Sequence, residues 1–142
     1  MYTQERNILV IRSATRILNQ TLLSLKEEFP KCRITVLAPE STREAVEQDP
    51  LIDEVLTITD QRRMSVSSYG RKNIAALREK KFDLAIALYN IDHGLGYSNI
   101  DLLACAANSK EVRGYNSKGT FVKLDSAKAI RKAIMEKTTF FW

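Results

Sequence analysis

Histidine, tryptophan and cysteine are scarce in this chain, and the scarcity removes several kinds of chemistry at once. One histidine, His93, cannot build a histidine-rich metal centre, and the two cysteines, Cys32 and Cys105, lie too far apart for zinc-ligand spacing. No metal and no cofactor is expected. Two distant cysteines read as reduced thiols rather than a disulfide framework. Long apolar runs are missing as well. The Ile8 to Ile11 stretch is only a few residues, whereas a membrane-spanning helix needs roughly twenty. Met1 to Arg6 is polar and lacks the apolar centre of a secretory signal, so a cytoplasmic domain is expected. An excess of one charge is also small: 22 lysines and arginines against 17 acids leave +5. No zinc-finger spacing, basic zipper or aromatic RNA-binding pattern accompanies that excess, and no nucleic-acid partner is expected.

What is present is a strand–helix rhythm. A chain of 142 residues with 44% apolar and 27% charged residues has the length and composition of one globular domain. Asn7 to Arg12 is a continuous β-branched apolar run, the mark of a strand covered on both faces of a parallel sheet. Leu18, Leu22, Leu25 and Phe29 then recur at helical spacing up to Pro30. Arg33 to Ala38 repeats the strand signal, and Ser41 or Thr42 can cap a short helix through Gln48. Asp53 to Ile58 alternates, as a strand nearer an edge does. Asp60 to Ser68 is a polar loop, Arg71 to Lys81 a helix and Phe82 to Leu88 the next strand. After Tyr89 to Ser98, a helix carries Ile100, Leu103, Ala104 and Ala107. Lys110 to Tyr115 reads as a fifth strand and Asn116 to Gly119 as a turn.

This pattern predicts an α/β fold: a single Rossmann-like domain over residues 1–142, its five parallel strands in the order 3-2-1-4-5 with helices on both faces. Residues 125–142 are expected to form a C-terminal helix and an aromatic tail. In such sheets ligands bind outside the carboxyl ends of the strands, where strand order reverses.

Several stretches, taken in order, resemble the ADP-heptose heptosyltransferase family of glycosyltransferases. They are Ile8-Leu9-Val10-Ile11-Arg12, Glu28-Phe29-Pro30 before Arg33 to Leu37, Asp49 to Val55, Lys81 to Ile86, and Val112-Arg113-Gly114-Tyr115. The resemblance implies the acceptor-side, N-terminal domain of a two-domain GT-B enzyme of lipopolysaccharide biosynthesis. Its partners would be a sugar or lipid-linked acceptor and, through a second domain, a sugar nucleotide. The chain also departs from the family. The usual Gly-Asp pair after the first strand is absent, the loop reading Ser13-Ala14-Thr15-Arg16, and no carboxylate occurs between Glu5 and Glu27. The family's acid in the fourth strand is replaced by Ala87, and the chain stops at Trp142, before a donor domain. The expectation is a fragment or degenerate relative that does not transfer sugar alone. A non-enzymatic Rossmann-like interaction module stands as the alternative.

The residues expected to bind substrate are Arg12, Ser13, Arg16, Tyr89, Asn90 and Arg113, because each follows or ends a predicted parallel strand. Arg12 and Arg16 suit a phosphate or acidic sugar; as surface residues they would be merely solvated. Asp92 and His93 are the candidates for acid–base chemistry, against the plainer reading of an exposed loop. Gly94 and Gly96 imitate a dinucleotide fingerprint whose third glycine position is Asn99, and a turn is the preferred reading. The ending Thr139-Phe140-Phe141-Trp142 beside Lys128, Arg131 and Lys132 has the composition of a peripheral contact with the inner face of a membrane, of a segment packed back onto the domain, or of a docking segment for a partner.

Overall fold

In a computed structural model, residues 6–12, 18–58, 69–88, 98–115 and 121–124 are described. Strands β1 (Arg6–Ile11), β2 (Cys32–Pro39), β3 (Glu54–Ile58), β4 (Leu84–Leu88) and β5 (Glu111–Tyr115) form the parallel sheet in the expected order 3-2-1-4-5. β1 is central, between β2 and β4. Its apolar run leaves Ile8 to Ile11 fully buried because helices cover both faces of the sheet.

The sheet has a sixth strand that the sequence reading did not identify. β6 (Phe121–Leu124) pairs antiparallel with β5, with Tyr115 opposite Phe121 and Val112 opposite Leu124. Four residues at an edge give no buried face to read: Phe121, Val122 and Lys123 are all exposed. The strand is defined by its partner rather than by its own pattern.

On one face lies helix α1 (Leu18–Glu28), whose Leu18, Leu22 and Leu25 pack with Ile8, Val10, Ile34, Val36, Ile86 and Leu88. The short helix α2 (Arg43–Glu47) adds Val46 to this cluster. On the other face, α3 (Arg71–Glu79) and α4 (Ser98–Ala106) bury Ile74, Leu77, Ile100, Leu103 and Ala104 against Leu9, Ile11, Leu37, Ala85 and Ala87. Successive strand residues point to opposite faces, which sorts the even and odd positions of β1 into separate cores.

Register at the amino ends is pinned by acids that precede strands. The Asn7 N–H donates to Asp83 Oδ2 at 2.9 Å, and the Ile34 N–H donates to Asp53 Oδ2 at 2.8 Å. Each aspartate satisfies a backbone donor of the neighbouring strand. Past the carboxyl ends of α3 and α4, Lys81 (φ 53) and Asn108 (φ 58) take the left-handed conformation that ends a helix.

Gly70, just before α3, has φ 92 and ψ 152, a region open only to glycine, and its carbonyl accepts the Ile74 N–H at 3.0 Å. A Cβ there would meet nothing within 4 Å. Gly70→Ala therefore tests backbone strain without a clash. The expected loss is about 1–3 kcal/mol by urea denaturation; no loss would mean that the helix entry relaxes to another conformation.

No helix of the described residues is long and apolar enough to cross a membrane. The Asp60–Ser68 loop, the turn at 116–119 and the helix and tail at 125–142 lie outside the described residues.

Candidate functional site

The connections leaving β1 and β4, which are neighbours, run to α1 on one face and α4 on the other. Their carboxyl ends thus form the switch point at which open α/β sheets bind ligands. Of the residues expected there, Ser13, Arg16, Tyr89, Asn90, Asp92 and His93 lie outside the described residues, as do Gly94 and Gly96.

Arg12 is described, and it stands at this end. Its N–H donates to the Leu37 carbonyl at 2.9 Å, extending the β1–β2 ladder by one bond. Its side chain is half-buried, and Nε is buried without a hydrogen-bond partner among the described residues. Burial pushes the guanidinium pKa down from its ordinary value, since removal from water disfavours the charged form.

Arg113 does not join Arg12. Its side chain lies on the α1 face and reaches toward the amino-terminal end of the sheet, where α1 finishes. Nη1 and Nη2 donate to the two oxygens of Glu28, each at 2.8 Å, Nε donates to Glu111, and Nη1 donates to Tyr115 Oη at 3.2 Å. The guanidinium carbon is 4.2 Å from the Phe121 ring centroid and 5.7 Å from that of Phe29. The expectation that Arg113 would meet Arg12 in one cleft is corrected. The reason is that α1 runs antiparallel to the strands and delivers Glu28 to the opposite end, where a bidentate carboxylate holds the arginine. Arg113 and Glu28 stabilise each other's charged forms, raising the arginine pKa and lowering that of the carboxyl. Burial raises the Tyr115 pKa.

A pocket opens beside this cluster, between Arg6, Phe29, Asp83 and Glu111, also at the amino end. The Arg6 guanidinium carbon is 5.7 Å from the Phe29 ring centroid. Of its charges Arg113 is paired with Glu28 and Glu111, while Asp83 pairs with Lys110 at 3.4 Å. Among the described residues no group of three or more histidine, cysteine or acidic side chains is placed to hold a metal.

Sequence reasoning passed over one acid near the expected site. Asp101 is fully buried in the first turn of α4, which follows the loop after β4 and so begins at the carboxyl end of the sheet. A carboxylate is favoured in a first helical turn by the macrodipole. The available signal was an acid inside the apolar stretch of Ile100, Leu102 and Leu103.

No family model matches the sequence, and no curated protein matches it. Solved structures do match the fold. The structure of E. coli ADP-heptose LPS heptosyltransferase II superposes with a TM-score of 0.58 at 23% identity, covering 80% of this chain and 31% of that chain. The glycosyl transferase family 9 structure from Veillonella parvula DSM 2008 gives a TM-score of 0.53 at 22% identity, covering 82% of this chain and 33% of that chain. The chain spans about a third of the length of the solved structures it matches, and what it has in common with them is a Rossmann-like α/β fold.

Proposed function

We propose that this chain is an acceptor-side domain related to the lipopolysaccharide heptosyltransferases, and that it does not transfer sugar by itself. The observation that carries this reading is the fold likeness over 80% of the chain to only 31% of a heptosyltransferase. In this reading the acceptor, a sugar or lipid-linked sugar, lies at the carboxyl ends of β1 and β4. Arg12, Ser13, Arg16, Tyr89 and Asn90 would contact it, and the sugar nucleotide would be held by a second domain. The aromatic and basic tail would give the domain a contact with the inner face of a membrane.

Transfer to a hydroxyl needs a base beside the acceptor and a group that stabilises the departing nucleotide diphosphate, both held in one closed geometry. The segment after Arg12 offers only the hydroxyls of Ser13 and Thr15, and neither is basic near neutral pH. Asp92 and His93 are the acid–base candidates from the loop after β4. Purified residues 1–142 should show weak or no sugar-nucleotide binding by calorimetry and no product with ADP-heptose and a lipid-A-type acceptor. Turnover abolished by Asp92→Asn would overturn this and identify a relocated base.

A non-enzymatic interaction module is the second reading, favoured by Ala87 and the carboxylate-free first loop. The natural reading frame discriminates the two. A second α/β domain in continuation supports the enzyme, and an unrelated partner domain supports the module.

A further inference from the structure

The strand β6 has little of its own to hold it to the sheet. Phe121, Val122 and Lys123 are exposed, Val122 to 60%, and the antiparallel pairing with β5 runs over four residues. A ladder that short is marginal unless side chains pack across it. Phe121 supplies such packing: its ring centroid lies 5.1 Å from that of Tyr115 and 4.2 Å from the Arg113 guanidinium carbon. Leu124 adds a contact at the margin of the core on the opposite face.

The guanidinium beneath that ring is itself held from elsewhere in the fold. Glu28, the last residue of α1, accepts from Nη1 and Nη2 at 2.8 Å each, and the Arg113 side chain is 7% exposed. Two parallel hydrogen bonds fix the orientation of the planar group as well as its charge. Glu111 accepts from Nε and the Tyr115 hydroxyl lies 3.2 Å from Nη1, so the same residue that positions Phe121 from one side also touches the arginine that positions it from the other.

We propose that Arg113 is a clasp that makes the attachment of β6 depend on the end of α1. Glu28 holds the guanidinium, the guanidinium and the Tyr115 ring hold Phe121, and release of the first contact loosens the strand. A tethered guanidinium gives up little further freedom when an aromatic ring packs on it through the cation–π attraction. An untethered one must be immobilised afresh, at a cost in side-chain entropy. A displacement of α1 is thereby passed to the strand through one side chain, and β6 opens as a unit separate from the core. The clasp lies at the amino end of the sheet and does not rest on the acceptor-side reading.

Amide hydrogen exchange of the full chain, followed by NMR, tests the proposal because it separates local from global opening residue by residue. The amides that close the β5–β6 ladder should be protected in the parent, yet exchange faster than those of β1. Low concentrations of urea should speed the β1 amides and scarcely move the ladder. Glu28→Gln should speed the ladder amides roughly tenfold in the absence of urea. Phe121→Leu should speed them by itself and reduce the further effect of Glu28→Gln to less than about twofold, since it removes the group through which the coupling runs. The proposal is overturned by ladder amides that are unprotected in the parent, that follow the urea dependence of β1, that do not respond to Glu28→Gln, or that respond to it as strongly without the Phe121 ring.

Discussion

Leu22→Ala is expected to remove about 3–4 kcal/mol of stability, whereas Leu23→Ala, one residue along the same helix, should change it by less than about 0.5 kcal/mol. Leu22 is fully buried on the face of α1 that meets Ile8, Val10, Ile34 and Val36, while Leu23 is 51% exposed. Truncating Leu22 loses the transfer free energy of the removed carbons and leaves a cavity that a sheet-backed helix cannot collapse into. Leu23 already faces water, so shortening it changes little beyond helix propensity. Urea denaturation of the two variants beside the parent measures both numbers on one scale. Equal losses would mean that α1 packs on the sheet in another rotation.

The second large effect lies at the amino end of the sheet. Removing both carboxylates of the arginine cluster, in Glu28→Gln/Glu111→Gln, is expected to cost about 3–5 kcal/mol, because it leaves a charge uncompensated in the interior. The Arg113 side chain is only 7% exposed, against 40% for Glu28 and 32% for Glu111. Glu28→Gln alone should therefore cost less, about 1–2 kcal/mol, since solvent screens a half-exposed carboxylate and Glu111 remains. Arg113→Met, which removes the charge itself, should be milder than the double change. These inequalities separate a buried cation in need of partners from a general packing defect.

The same cluster sets a pH dependence. Arg113 lowers the Glu28 pKa below its ordinary 4.5 in the folded chain. A depressed carboxyl pKa contributes stability above the unfolded value and loses it as pH falls through the folded one. The melting temperature of the parent should thus fall as the pH drops below about 4.5, and in Glu28→Gln that component should be absent. Parallel acid profiles of the two proteins would assign the acid sensitivity to other carboxylates.

Strand identity and order were legible without coordinates because period-two burial and continuous apolar runs are local signals. The Asn7 to Arg12 run could only be a covered strand, and the helices at Leu18, Ile74 and Ile100 each announce one apolar stripe. Right-handed crossovers then leave few arrangements of five parallel strands, and 3-2-1-4-5 is among them. β6 escaped because Phe121–Leu124 is too short to show a period and its apolar residues are not buried.

The sequence by itself determined the alternation, the central place of β1 and the lack of a carboxylate in the segment that follows it. Only tertiary structure decided the place of Arg113. Arg12 and Arg113 both belong to strand ends in sequence, and both look equally available to a ligand. Pairing across 85 positions brings Glu28 to Arg113, and no ion pair to Arg12 occurs among the described residues. Such a charge balance is set by the direction in which a helix returns along the sheet, and no local pattern of residues carries that information.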